Sequence, residues 1–197
     1  MMTLRARLLR TLATFLLGMG LCASAWAQEV GIMQSSLTSA KGGDKPGLYL
    51  SVTVDFDLPR TVEDALMRGI ALYFVTDFTL ERHRWYWLDK TQNETSLVSR
   101  LSYSPLTRQY RVSRGGLSQS FDTLKDALDV VKVISDWRVS DKHSLSEPEE
   151  YEAEVRFRLD TQQLPLPMQV NIGNNDWNLT SDWQTLVLDH RVITPKE

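Results

Sequence analysis

The segment LYLSVTVDFDL, residues 48–58, places an apolar side chain at every even-numbered position and mostly polar side chains at the odd-numbered positions. Successive side chains of a β-strand point to opposite faces of the sheet, so this period of two predicts a strand with one buried and one solvated face. Such half-buried strands are typical of antiparallel sheets that pack one face on a core.

The same alternation returns in YEAEVRFRL, residues 151–159, and in the apolar even positions of residues 166–172. Further strands are predicted at residues 30–37, 97–103, 108–112 and 179–192, with turns at residues 89–93, 104–105 and 115–116. Antiparallel strands therefore account for most of the chain.

Two segments follow helical rather than strand spacing. In residues 59–69 apolar positions recur at intervals of three and four, and Thr61 is the expected N-terminal cap. In residues 122–134 the same spacing follows Asp122, another residue type that commonly caps helices. The sequence predicts a mainly β fold with two short α-helices, organised as an antiparallel β-sandwich-like single domain.

The N-terminus has the three-part layout of a secretory signal peptide. Three arginines within the first ten residues precede an apolar stretch over residues 12–22, and the small-residue pattern Ala25-Trp26-Ala27 follows. We expect residues 1–27 to be a cleaved signal peptide and residues 28–197 to form a single periplasmic β-rich domain. Cleavage two residues earlier also fits. A retained signal anchor and a lipid-modified Cys22 are the alternatives.

We expect the mature chain to contain no cysteine and to carry a net negative charge. Cys22 is the only cysteine, so a packed core rather than a disulfide must stabilise the domain. Removal of the signal takes three of the 22 basic residues and none of the 25 acidic ones, which leaves 19 against 25 and a formal charge of −6. We expect neither nucleic acid nor anionic lipid as a partner, and no stable membrane insertion after signal cleavage.

The segment of residues 70–89 changes register along its length. Its apolar side chains occupy even positions as far as Leu80, whereas Trp85 and Trp87 occupy odd positions beyond a charged run. Either a bulge near Arg82 resets the register, or the strand passes from one sheet to the other. Core packing is the ordinary interpretation of the two tryptophans, and an aromatic surface is the alternative.

Two surfaces around this segment are candidate binding sites. One is a basic surface that would receive an acidic partner, although arginines in a sheet also commonly form cross-strand ion pairs. It comprises Arg82, Arg84, Tyr86, Arg108 and Arg111. The other is a ligand face where titratable and aromatic residues come together. It comprises Asp77, Glu81, His83, Trp85 and Trp87.

No catalytic or metal-binding constellation stands out in the sequence. The three histidines are widely separated, no glycine-flanked serine motif is present, and the mature chain lacks cysteine. We therefore expect a protein that is not an enzyme and that carries no cofactor or metal.

Several stretches resemble the family called domain of unknown function 4390. They are Ala65-Leu66 with Gly69, IALYF (70–74), RWYWLD (84–89) and LTRQYRV (106–112). Members of that family are small exported proteobacterial proteins, and their genes often lie near a sensor kinase of the nitrogen-regulation type. The resemblance covers nearly the whole mature chain and implies an exported single domain with an envelope protein, such as that kinase, as its partner. It implies no reaction, cofactor or catalytic residue.

These observations together predict a non-catalytic periplasmic protein-interaction or accessory module. The alternative is a small-molecule-binding periplasmic domain that uses the aromatic strand. An exposed apolar patch would favour a partner protein, whereas a concave apolar pocket at the tryptophans would favour a ligand.

Export is the first testable consequence. Mass spectrometry of the protein from a periplasmic extract should show a chain that begins at Gln28 or, after the earlier cleavage, at Trp26, because both positions follow a small-x-small pattern. Recovery of only the full-length chain, in the membrane or the cytoplasm, would contradict this prediction.

Overall fold

The computed structural model describes residues 30–40, 46–82, 90–141, 151–165 and 175–188. Nine antiparallel strands form two sheets in this part of the chain. The strands are β1 (Gly31–Ala40), β2 (Gly47–Asp55), β3 (Leu72–Arg82), β4 (Lys90–Ser104), β5 (Gln109–Arg114), β6 (Leu117–Phe121), β7 (Val133–Ser140), β8 (Tyr151–Leu159) and β9 (Gln184–Leu186). The described helices are α1 (Arg60–Met67), α2 (Leu124–Lys132) and two single 3-10 turns, Thr161–Gln163 and Asn175–Trp177.

One sheet has three strands in the order β1-β2-β7, and the other has six in the order β6-β5-β4-β3-β8-β9. Their inner faces share one core, which is built from the alternating residues of β2, β3 and β8. The rings of Phe56, Phe74 and Phe157 lie 5.3–5.7 Å apart at their centroids and join the end of β2 to the larger sheet. The predicted mainly β, antiparallel sandwich-like fold is confirmed.

The strand predictions differ from the structure mainly at the strand ends. The alternation of residues 48–58 is confirmed, but β2 ends at Asp55 and Phe56 leads toward α1 with its ring still buried. The predicted strand 151–159 coincides with β8. Of residues 179–192, only β9 and a bridge from Thr180 to Arg158 have strand pairing among the described residues. The predicted strand within residues 166–172 lies outside the described part.

Two strands were not predicted, and one turn was predicted at the wrong place. β6, with the sequence LSQSF, was not predicted because it lacks alternating apolar residues. β7 was not predicted because helical spacing continues past the end of α2 into its first residues. The predicted turn at residues 89–93 is wrong, because β4 begins at Lys90 and pairs with β3 through polar residues that carry no apolar signal.

The start of α1 does not use the predicted cap. Pro59 occupies the N-cap position with a φ of −57°, and no side chain caps the helix there. Thr61 instead lies inside the helix, where its Oγ1 donates to Asp176 Oδ2 at 3.1 Å. The predicted apolar face is confirmed, because Val62, Ala65 and Leu66 are all buried.

α2 is shorter than predicted at both ends. Its cap is Thr123 rather than Asp122, since the Thr123 hydroxyl accepts a hydrogen bond from the backbone N–H of Asp126. The helix ends at Lys132, and Ile134 belongs to β7, where it lies opposite Val52.

Arg114 links the end of α2 to the six-stranded sheet through side-chain hydrogen bonds. Its Nε donates to Ser99 Oγ at 2.7 Å, and its two Nη atoms donate to the carbonyl oxygens of Val130 and Val133 at 2.8 Å. The last carbonyls of a helix have no partner within the helix, so this guanidinium supplies the missing donors. The β5–β6 hairpin is thereby held in place.

A register shift lies close to the predicted position. β3 pairs with β4 through Leu80 opposite Asn93 and then Glu81 opposite Thr91, so the extra residue of the bulge is Gln92 of β4. The pairing of β3 with β8 continues without a shift as far as Arg82. This bulge lies in β4 and does not reset the register of β3 itself. The two predicted alternatives concern the register of Trp85 and Trp87, which lie outside the described residues.

The shared core generates a stability prediction. Phe157→Ala should lower the free energy of unfolding by about 3–5 kcal/mol, because Phe157 is 1 % exposed and stacks on two other rings. Val98→Ala is the matched control, since Val98 is 45 % exposed on the same sheet and should cost only a few tenths. Denaturant unfolding should give the same values under reducing and oxidising conditions. A loss of only a few tenths in Phe157→Ala would contradict the assignment of the inner face.

Candidate functional site on the outer face of the six-stranded sheet

The outer face of the six-stranded sheet is the face that points away from the core. Because Leu72, Phe74 and Leu80 point inward, the odd-numbered residues of β3 point outward. Pairing brings the outward residues of β4 and β8 beside them: Tyr73 lies opposite Arg100, and Asp77 lies between Ser96 and Arg156. Polar and charged side chains are thus concentrated on one side of the sheet.

Asp77 is the centre of a hydrogen-bonded cluster on this face. Its Oδ1 accepts from Ser96 Oγ at 2.7 Å, and its Oδ2 accepts from Arg156 Nη2 at 3.0 Å and from Arg158 Nε at 2.9 Å. We call these four residues the Asp77 cluster. Three strands contribute to it, so the cluster ties β4, β3 and β8 together across the outer face.

The charge state of Asp77 follows from its surroundings. Burial by itself would raise the pKa of this carboxyl, but hydrogen bonds from Arg158, Ser96 and Arg156 outweigh burial and hold the pKa below its usual value of 3.8. Asp77 is therefore ionised at neutral pH, and its oxygens are occupied by internal donors. This arrangement suits a structural ion pair better than a ligand contact.

An exposed tryptophan extends the Asp77 cluster toward β9. The Arg156 guanidinium lies 4.4 Å from the centroid of the Trp183 ring, within the range of a cation–π interaction. Trp183 is 39 % exposed. Neither residue was singled out from the sequence, because Arg156 looks like one of many alternating strand charges and β9 is too short to show a pattern.

Of the other members of the predicted ligand face, only Glu81 lies among the described residues. Glu81 shares the outer face with Asp77, as predicted, and lies opposite Glu152 of β8. His83, Trp85 and Trp87 lie outside the described residues.

A basic pocket opens on the same face, between β4, β5 and β6. Its volume is about 480 Å³, and its lining includes Arg100, Arg111, Ser102, Ser104 and Ser120. Ser102, Arg111 and Ser120 form one row across the three strands, and Arg100 lies in the next row, diagonal to Arg111. Diagonal neighbours of this kind have Cβ atoms about 7–8 Å apart or less, so the two guanidinium groups can reach a common anion.

The arginines of the basic pocket have no acidic partner among the described residues. Arg156 and Arg158 are both paired with Asp77, whereas Arg100 and Arg111 form no ion pair in that part of the chain. The Arg100 guanidinium instead lies 5.9 Å from the Tyr73 ring. Two neighbouring positive charges without a counterion among the described residues make this pocket well suited to an acidic group.

The predicted basic surface is divided in the structure. Arg111 lines the basic pocket, and Arg108 lies in the adjoining turn with a φ of 55° and forms no ion pair with the described residues. Arg82 is the last residue of β3, whereas Tyr73, nine residues earlier, lies opposite Arg100 of the basic pocket. The backbone of Arg82 is therefore roughly 30 Å along the strand from that of Tyr73. Arg84 and Tyr86 lie outside the described residues. Arg100 lines the basic pocket together with Arg111 instead, a proximity that follows from the β4–β5 pairing.

A family model described as Domain of unknown function (DUF4390) matches residues 27–187. The chain belongs to this family. Comparisons of this DUF4390 protein with curated proteins and with solved structures found no match. Among the described residues of the DUF4390 domain, no helix is long and apolar enough to cross a membrane. The same residues contain no group of three or more His, Cys, Asp or Glu side chains placed to hold a metal ion.

The Asp77 cluster generates a pH-dependent prediction. Asp77→Asn should lower the stability of the DUF4390 domain by about 1–3 kcal/mol at pH 7, because partly buried Arg156 loses its carboxylate partner and Arg158 keeps only the longer ion pair with Asp160. The folded-state pKa lies below the unfolded value, so this stabilisation is present above about pH 4 and is lost as the pH falls through the folded pKa.

Thermal unfolding of the wild type and the variant between pH 2 and pH 7 checks both statements. The difference in stability between the wild type and Asp77→Asn should be constant above pH 4 and shrink below it. Asp129→Asn is the control, because it removes an exposed carboxylate paired with Lys125 and should change little. A constant difference down to pH 2 would show that Asp77 does not carry the effect.

Proposed function

We propose that this DUF4390 protein is a non-catalytic interaction module of the periplasm that binds an acidic group of an envelope protein in its basic pocket. The observation that carries the proposal is the pair Arg100 and Arg111, which share a pocket and have no acidic partner among the described residues. A planar guanidinium donates two parallel hydrogen bonds to a carboxylate or a phosphate.

The surroundings of the pair support an anion as its occupant. The serines that line the basic pocket carry hydroxyl groups that can donate further hydrogen bonds, and their small side chains leave the guanidiniums accessible. The chain as a whole has a formal charge of −3, so the pocket is a local exception to the overall sign. An acidic group would therefore be attracted to this part of the surface in particular.

The lining of the pocket also supports a role without catalysis. Its serines, its threonine and its tyrosine have no His, Asp or Glu beside them in the lining to act as a general base. Arginine stays protonated and cannot supply that role. The pocket can hold an anion, and its residues provide no means of activating a nucleophile.

The partner follows from the same considerations. An acidic segment on the outer portion of a sensor kinase fits both the chemistry of the basic pocket and the family resemblance. The alternative, a small-molecule-binding domain, has some support because the pocket volume of about 480 Å³ is within the range of ligand sites. The pocket is open and its lining is mostly polar, with Tyr103 and Pro105 as the larger apolar contributions, whereas sites that enclose a small molecule are lined mainly by apolar side chains. We therefore favour the protein partner.

Reversing the charge of the basic pocket tests the proposal. Arg100→Glu with Arg111→Glu should weaken capture of the envelope partner about tenfold or more, because like charges now meet. The melting temperature should stay nearly unchanged, since neither arginine has an ion pair to lose among the described residues. Quantitative affinity capture from envelope extracts, followed by mass spectrometry, provides the measurement.

Arg60→Glu with Lys125→Glu is the matched control, because it reverses the same number of charges on the two helices. The control should capture the partner as the wild type does. Capture by the wild type should also weaken with added salt, as expected for exposed charges. Equal capture by the pocket variant and the control would contradict the proposal.

A further inference from the structure

β6 is an edge strand whose free side is open. It pairs with β5 on one side and ends the six-stranded sheet on the other. Among the described residues, no backbone hydrogen bond reaches β6 from outside the hairpin. Residues 117–120 are all exposed, although α2 contacts the hairpin nearby.

The hairpin geometry shows which backbone groups face outward. Gly115 and Gly116 both have positive φ, 55° and 84°, which is typical of the two-residue turn that closes a hairpin. Arg114 and Leu117 flank that turn and form its first hydrogen-bonded pair, and the pairs alternate from there. The N–H and C=O groups of Ser118 and Ser120 therefore point away from β5, toward the open side.

The free edge lacks the features that usually prevent strand addition. Natural edge strands are commonly blunted by charged residues, proline or bulges. β6 has the sequence LSQSF, which contains neither a charge nor a proline, and it pairs with β5 without a register shift. Its first residue, Leu117, is apolar and 79 % exposed. Such an edge can pair with another extended chain.

We infer that an extended acidic segment of the partner adds to β6 as a further strand of the large sheet and places a carboxylate side chain in the basic pocket. This inference rests on the proposed function, because it assigns the backbone of the same partner to the edge beside the pocket. Main-chain hydrogen bonds to Ser118 and Ser120 would hold the segment, as in other cases of strand addition.

The row structure of the sheet explains how the acidic side chain reaches the arginines. Ser102, Arg111 and Ser120 lie side by side across three strands, so a partner residue opposite Ser120 extends this row. It would lie about two strand spacings, ~10 Å, from β5. A glutamate and an extended arginine together span that distance. The small side chain of Ser120, which lies between them, leaves the path open.

A synthetic strand peptide tests strand addition with the purified protein. The probe has nine residues, alternates valine with glutamate and threonine, and is acetylated and amidated at its ends. During titration, nuclear magnetic resonance should show shifts of the Ser118 and Ser120 backbone amides. Ser120→Pro should weaken binding at least tenfold, because it removes an outward donor without removing a hydrogen bond to β5. Ser120→Ala keeps that donor and loses only a hydroxyl of the basic pocket, so it should bind clearly more tightly than Ser120→Pro. Gln119→Ala changes an exposed side chain on the other face of β6 and should bind as the wild type does.

Chemical changes to the peptide give a test that leaves the protein intact. Two versions of the peptide, each N-methylated at one set of alternate residues, cover both ways of pairing, and at least one should lose binding. Equal binding of all versions, equal binding by Ser120→Pro, or no binding of the probe by the wild type would overturn strand addition.

The two proposals can fail separately. If Arg100→Glu with Arg111→Glu abolishes binding while Ser120→Pro does not, the basic pocket stands and strand addition is wrong. If Ser120→Pro abolishes binding but a peptide with glutamine in place of glutamate binds equally well, the strand adds at β6 and the role of the basic pocket in binding an acidic group is wrong.

Discussion

The packing of Phe56, Phe74 and Phe157 against one another is the contact on which the rest of the structure depends. Phe56 follows β2 of the small sheet, whereas the other two rings come from neighbouring strands of the large sheet. Their burial fixes which face of β3 and β8 is inside. Because side chains alternate along a strand, every polar residue at the other positions of these strands must then face outward. The outer face of the large sheet is therefore a direct consequence of the core.

That outer face contains two kinds of positive charge with different consequences. Arg156 and Arg158 share the carboxylate of Asp77, and Arg158 also pairs with Asp160, so these two positive charges are balanced by two nearby carboxylates. Their pairing with Asp77 helps to hold three strands together. Arg100 and Arg111 have no such anion among the described residues, and their charges remain available to an acidic group from elsewhere. The same residue type thus serves structure at one place on the sheet and supports a binding role at another.

The position of the basic pocket beside the free edge joins the two proposals. A pocket that holds one carboxylate offers a partner little contact area. A short strand edge offers main-chain hydrogen bonds, which carry no sequence preference. In combination, as we propose, they would select an extended segment that carries an acid at the right position. Hydrogen bonds from Arg114 to the carbonyl oxygens of Val130 and Val133 hold the β5–β6 hairpin against the end of α2. The basic pocket and the free edge of β6 therefore keep a fixed relative position without a bound partner. Such preorganisation lowers the entropic cost of binding.

Local sequence patterns were sufficient to predict the sandwich-like class, the inner faces of β2 and β8, and the buried face of α1, because strong alternation or helical spacing indicates burial locally. They did not reveal β6, the start of β7 directly after α2, or the diagonal placement of Arg100 and Arg111 across β4 and β5. Those features depend on which strands become neighbours, and neighbours such as β4 and β5 are chosen by the whole sheet rather than by either segment. The ion pairs of Asp77 with arginines about 80 positions away became apparent only in the folded structure, since nothing in the local sequence records a contact across strands.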